Sequence, residues 1–119
     1  MRFMMMVKSA ENQGPPPQEL MEAMGKHVQE ALKFGQMIAS GGLAPTGMSK
    51  RVRLERGQIT VTDGPFAESK EVVGGFAIME FDSQGKAVES ALGLMELHRK
   101  YWPSWEGLSE IRQVFGPED

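Results

Sequence analysis

Residues 2–8 read Arg2-Phe3-Met4-Met5-Met6-Val7-Lys8, five consecutive apolar side chains between two charged ones. A strand sends successive side chains to opposite faces, so a strand of this kind has to be covered on both. The run Gly75-Phe76-Ala77-Ile78-Met79-Glu80-Phe81 makes the same demand, and Ser109–Phe115 a similar one. A chain of 119 residues has little material for covering a sheet twice. That shortage constrains the fold more than any other feature.

Two segments have a helical period. From Gln18 to about Ser40, Met21, Met24, Val28, Ala31, Leu32, Gly35 and Ile38 recur at steps of three and four. Prolines 15–17 precede this helix, and Gly41-Gly42 is placed as its C-cap. The second helix starts from a cap at Asp82 or Ser83 and runs to about Tyr101. Ala87, Ala91, Leu94, Met95, His98 and Trp102 form its stripe, and Trp102-Pro103 ends it. Between the helices, Lys50–Glu55 and Gln58–Thr62 both alternate polar and apolar residues. With Arg56-Gly57 as the turn, they predict a hairpin with Leu54 opposite Ile59, Val52 opposite Val61, Arg53 opposite Thr60 and Arg51 opposite Thr62. Leu43-Ala44-Pro45 is read as a short edge segment, and Ala67–Gly74 as a charged loop.

The order is read as β-α-β-β-α-β, a ferredoxin-like α+β domain spanning residues 1–119, with an antiparallel sheet and two helices on one face. Two helices cover one face of such a sheet. The economical cover for the other is the same face of a second copy, which predicts a homodimer. The competing arrangement is a monomer shielded by residues 41–50 and the C-terminal tail.

The totals narrow the function classes. No cysteine is present, which removes disulfides, thiolate zinc sites and cysteine nucleophiles and fits a reducing cytoplasm. A net charge of −3 gives no basic surface for nucleic acid. No apolar run approaches a membrane span, and residues 1–7 are too short for a signal-peptide core. Met4, Met5 and Met6 alternate faces in a strand, so they cannot converge on a copper(I) ion. Phosphate-cradling glycine loops are absent, two histidines make a weak zinc site, and no cofactor is expected.

The stretch Val61-Thr62-Asp63-Gly64-Pro65-Phe66-Ala67-Glu68-Ser69-Lys70-Glu71, followed by Gly74-Gly75-Phe76, resembles the signature of the YCII-related family, and more narrowly of its DGPF subgroup. The apolar start, Gly42-Leu43 and the stretch from Trp102-Pro103 to Phe115 extend the resemblance over nearly the whole chain. It implies a dimer in the manner of the dimeric α+β barrels. Some relatives are thought to be small enzymes that use a histidine with an aspartate, and His27 is the matching histidine. Where the pattern has a late Asp-Pro, this chain has Trp102-Pro103.

Five residues are candidates for chemistry. His27 flanks the apolar face of the first helix, a half-shielded position that suits a general acid or base. Asp63 opens the signature turn, either bonding the backbone ahead of it or orienting a histidine. Arg51 would clamp an anion on the polar face of the hairpin, where Arg53 also lies, and Lys70 would meet one from the charged loop. His98 lies on the centre of its helix's stripe, either as a core histidine or as a ligand-contacting group. The leading expectation is acid–base chemistry on a small anionic organic molecule, isomerisation or elimination, with His27 and Asp63 catalytic and Arg51, Lys70 and His98 holding the substrate. The alternative is a non-catalytic dimeric binding or regulatory module. A haem-binding barrel with His98 as axial ligand rests on fold analogy alone.

Overall fold

The computed structural model describes residues 1–66 and 69–117. β1 (Arg2–Ser9) is followed by α1 (Gln18–Lys33), β2 (Met37–Gly42), a short 3-10 turn (Thr46–Met48), β3 (Lys50–Glu55), β4 (Gln58–Asp63), β5 (Val72–Glu80), α2 (Gln84–Tyr101) and β6 (Gly107–Val114). β2, β5, β1 and β6 form, in that order, a four-stranded antiparallel sheet, and β3 and β4 form a second sheet of two strands.

β1 is central and paired on both sides. Met5 lies opposite Ala77 of β5 and Ile111 of β6, and Met4 opposite Ile78 and Arg112. Phe3 and Met5 join Met79, Phe81, Ala31, Ala87 and Ala91 in one buried cluster, so this face of the sheet carries both helices. Met4 and Met6, with Ile78 and Phe76 beside them, occupy the opposite face and stay partly exposed.

Three expectations need correction. First, the fold is not a barrel. The four-stranded sheet is open, with β2 and β6 as its edges, and the two sheets do not close on each other. The molecule is an α+β fold of two helices and two small sheets, and the dimeric-barrel description does not apply to it.

Second, α1 ends at Lys33, not near Ser40. Gly35 takes a φ of +70°, the left-handed conformation that terminates a helix, while Phe34 N–H donates to the Glu30 carbonyl and Gln36 N–H to that of Ala31. Met37 and Ile38 extend the helical spacing of apolar residues, which conceals the break. Gly41-Gly42 is not a cap but the end of β2, an edge strand paired with β5. The strand β2 takes the place in the main sheet that the sequence assigns to the hairpin.

Third, the hairpin has the expected register but stands apart. Val52 pairs with Val61 and Leu54 with Ile59, and the Arg56-Gly57 turn has positive φ at both residues. Its apolar face is left in solvent, however, with Val52, Leu54, Ile59 and Val61 between 63% and 72% exposed. The radius of gyration is 16.1 Å, against about 13.5 Å for a compact chain of this length. The molecule measures 46 × 41 × 19 Å, a flat body with a projecting ribbon.

The inward face of α1 is also rotated from the expected stripe. Leu20, outside that stripe, is fully buried, whereas Met21 and Leu32 are more than half exposed. α2 keeps its predicted face, with Ala87, Ala91 and His98 buried and the Ser83 hydroxyl accepting from Lys86 N–H at its N-terminus. No helix among the described residues is long and apolar enough to cross a membrane.

The rotation sets two neighbouring residues against each other. Leu20→Ala is expected to lose about 2–5 kcal/mol in urea unfolding, because it opens a cavity in a filled site. Met21→Ala should stay within about 0.5 kcal/mol of wild type. Equal losses would show that the inward face is assigned wrongly.

Candidate functional site

The signature turn is held by backbone contacts that only glycine allows. Gly64 N–H donates to the Ser49 carbonyl at 2.8 Å, and the Gly64-Pro65 peptide is cis. A Cβ at position 64 would lie 1.6 Å from the Thr46 carbonyl oxygen. Residues 46–49 and 63–66 therefore meet backbone to backbone. Thr46 joins them further: its hydroxyl accepts from Phe66 N–H at 3.3 Å and donates to Glu11. The second oxygen of Glu11 accepts Thr46 N–H at 2.7 Å, so the Glu11 carboxylate caps the short turn that follows Pro45. These bonds to Thr46 hold the Glu11 carboxyl below the usual range.

One side of this assembly is a cleft of about 420 Å³, walled by Thr46, Ser49, Arg51, Phe66, Ser69 and Glu71, with Leu43 and Val72 among its apolar lining. The Arg51 guanidinium lies 3.8 Å above the centre of the Phe66 ring and donates to the Ser69 hydroxyl at 2.9 Å. Cation–π stacking and the planar fork fix its orientation at the cleft wall. The proline and glycine of the turn thus serve to place Phe66, and Phe66 serves to place Arg51.

A second cleft of similar size runs between α1 and α2. It is lined by Glu19, Glu22, Lys26, His27, Glu30 and Tyr101. His27 is half-buried, with its ring facing α2 at Gly93, where a Cβ would lie 3.8 Å from the imidazole Cε1. Three carboxylates against one lysine give this groove a negative bias.

The expected site residues therefore separate. Arg51 walls the signature cleft and His27 the inter-helix groove. Asp63 lines neither cleft: at the mouth of the hairpin it pairs with Lys50 at 2.5 Å, with both side chains largely exposed. Lys50 lies opposite Asp63 in the register, so an alternation that stops at Thr62 passes over it. Lys70 is exposed and lines neither cleft. Glu68 lies outside the described residues. His98 is buried: Nδ1 donates to the Leu94 carbonyl at 2.9 Å, and the ring packs 4.4 Å from that of Trp105. A carbonyl can only accept, so Nδ1 carries the proton. This is a core histidine with its hydrogen bond made. Glu11 and Thr46 enter the site unannounced by the sequence, because what joins them to the signature turn is contact between segments distant along the chain, whereas Ser69 and Glu71 belong to the signature stretch itself. Among the described residues, no group of three or more His, Asp or Glu side chains could hold a metal ion.

Two variants check this construction. Gly64→Ala is expected to cost about 1–3 kcal/mol in urea unfolding, since the obstructing atom is backbone and cannot rotate away. Glu11→Gln tests the capping carboxylate through pH. A depressed carboxyl stabilises the fold above its unfolded value, and that contribution disappears as pH falls through the lower folded value. Wild type should thus exceed Glu11→Gln in urea midpoint at pH 7, and the gap should close toward pH 3. A gap independent of pH would remove the carboxylate from the account.

A profile of the YCII-related domain matches residues 1–98, most of β1 through α2. A search among curated proteins finds no match. The matched span includes both clefts' principal side chains, His27 and Arg51 among them, and by this match the chain belongs to the YCII-related domain family.

Proposed function

We propose that this YCII-related protein is a ligand-binding member of the DGPF subgroup, and that it takes a small anionic organic molecule into the cleft beside the signature turn. The observation that carries the reading is Arg51, stacked on Phe66 and hydrogen-bonded to Ser69 at the cleft wall. An arginine oriented in this way suits an anionic group, which its guanidinium can meet through a charge-assisted hydrogen bond. Leu43 and Val72 supply the apolar lining for the rest of a small organic acid. Glu71, in the same cleft, favours a ligand that also carries a hydroxyl or amine donor.

Binding is better supported than acid–base catalysis by His27 and Asp63. Asp63 is paired with Lys50, and His27 sits in a groove whose carboxylates oppose an anionic substrate. The same proposal places the protein in the cytoplasm, in keeping with its lack of cysteine, and has it act as a pair of identical chains.

Chemical-shift titrations with lactate, malate and 4-aminobenzoate provide the test. At least one of these probes should move the amides of Thr46, Arg51, Ser69 and Val72. Arg51→Gln should weaken binding at least about tenfold, the range for losing a charge-assisted hydrogen bond. Arg51→Lys should fall between, keeping the charge without the fork. His27→Gln should change nothing. Shifts centred on α1 and α2 that vanish in His27→Gln and survive in Arg51→Gln would return the active role to the histidine.

A further inference from the structure

The cleft beside the signature turn takes its walls from two different sheets. Arg51 comes from the root of the ribbon, where it pairs with Thr62 and stacks on Phe66. Leu43, Glu71 and Val72 come from the main sheet. Val72 pairs with Ser9 of β1, and Leu43 N–H donates to the Gly74 carbonyl of β5 at 2.9 Å. Glu71 immediately precedes β5, so its backbone is anchored by the same strand. One cleft therefore holds a guanidinium, a carboxylate and an aliphatic lining, each on a backbone fixed by strand pairing. Its volume of about 420 Å³ lies near the lower end of the roughly 300–1,000 Å³ of small-molecule sites, which suits a compact metabolite.

We infer that the ligand is an aliphatic amino acid, with its carboxylate on Arg51, its ammonium on Glu71 and its hydrocarbon part on Leu43 and Val72. The inference rests on the reading that this cleft takes an organic anion at Arg51, and it names the rest of that molecule. Charge separates an amino acid from other small acids. A second carboxylate brought up to Glu71 is repelled. A hydroxyl donates one hydrogen bond there and brings no charge, whereas an ammonium brings donors and charge together. α- and ω-amino acids share these three parts, so the test takes one of each.

Chemical-shift titrations compare L-leucine with 4-methylpentanoate, which lacks only the amine, and with 2-hydroxy-4-methylpentanoate, which carries a hydroxyl in its place. 6-Aminohexanoate and hexanoate form the ω pair. At least one amino acid should bind at least about threefold more tightly than its counterpart without nitrogen, the order expected of one exposed charge pair. Glu71→Gln should remove that preference without weakening the plain acids. Arg51→Gln should weaken amino acids and plain acids together. Amide shifts of Glu71→Gln that match wild type away from the cleft make this a comparison of charge rather than of folding. Plain acids that bind as tightly as both amino acids would overturn the amino-acid assignment while the anion reading stands. So would a hydroxy acid that matches the better amino acid, or a preference that survives in Glu71→Gln. If no carboxylate of the set moves the cleft amides, both readings fall.

Discussion

β1 is bonded along its length to β5 on one side and to β6 on the other, and the rest of the molecule is arranged around that double pairing. Because Phe3 and Met5 point one way and Met4 and Met6 the other, one strand commits the chain to two apolar faces at once. The helices meet the first commitment: Phe3 and Leu20 are fully enclosed, and Ala87 and Ala91 let α2 approach the sheet closely. The second commitment is not met within the chain. On that face Met4, Met6, Phe76 and Ile78 stay partly exposed, beside the ion pair of Lys8 with Glu110.

The site depends on the same strand by a longer route. The turn that follows β1 carries Glu11, whose carboxylate grips Thr46. Thr46 holds Phe66 through its amide, and Phe66 supports Arg51. Each bond in this series lies at or near the surface and is individually modest. Their joint effect is to make the position of one guanidinium depend on three segments, around Glu11, Thr46 and Phe66, that are far apart in sequence. The inter-helix groove has no comparable support for His27, whose ring faces Gly93.

The local periods were the most legible part of the fold. The hairpin could be read to its register because alternation on two adjacent strands determines both faces, and α2 because its alanines and His98 repeat without interruption. Strand β2 was hidden because Met37 and Ile38 continue the spacing of α1, and only the backbone of Gly35 shows that the helix has ended. Leu20 was passed over because it lies beside Met21, and periodicity alone does not choose between adjacent residues when both are apolar. In the site, the glycine, proline and phenylalanine of the signature stood out, but their purpose did not. Gly64 is required by the approach of Thr46, a long-range contact that a linear reading does not contain. Asp63 was given a histidine as partner when the register had already placed Lys50 opposite it.

The ribbon is inserted between β2 and β5, which are themselves hydrogen-bonded neighbours in the main sheet. Its root is closed by Ser49 and Gly64, so the sheet's connectivity is complete without anything beyond that closure. Such an appendage can change length or sequence at its Arg56-Gly57 tip at little cost to the body. The end of the ribbon beyond Arg51 can therefore change while the cleft at its root, built on Thr46, Ser49, Arg51 and Phe66, keeps its shape.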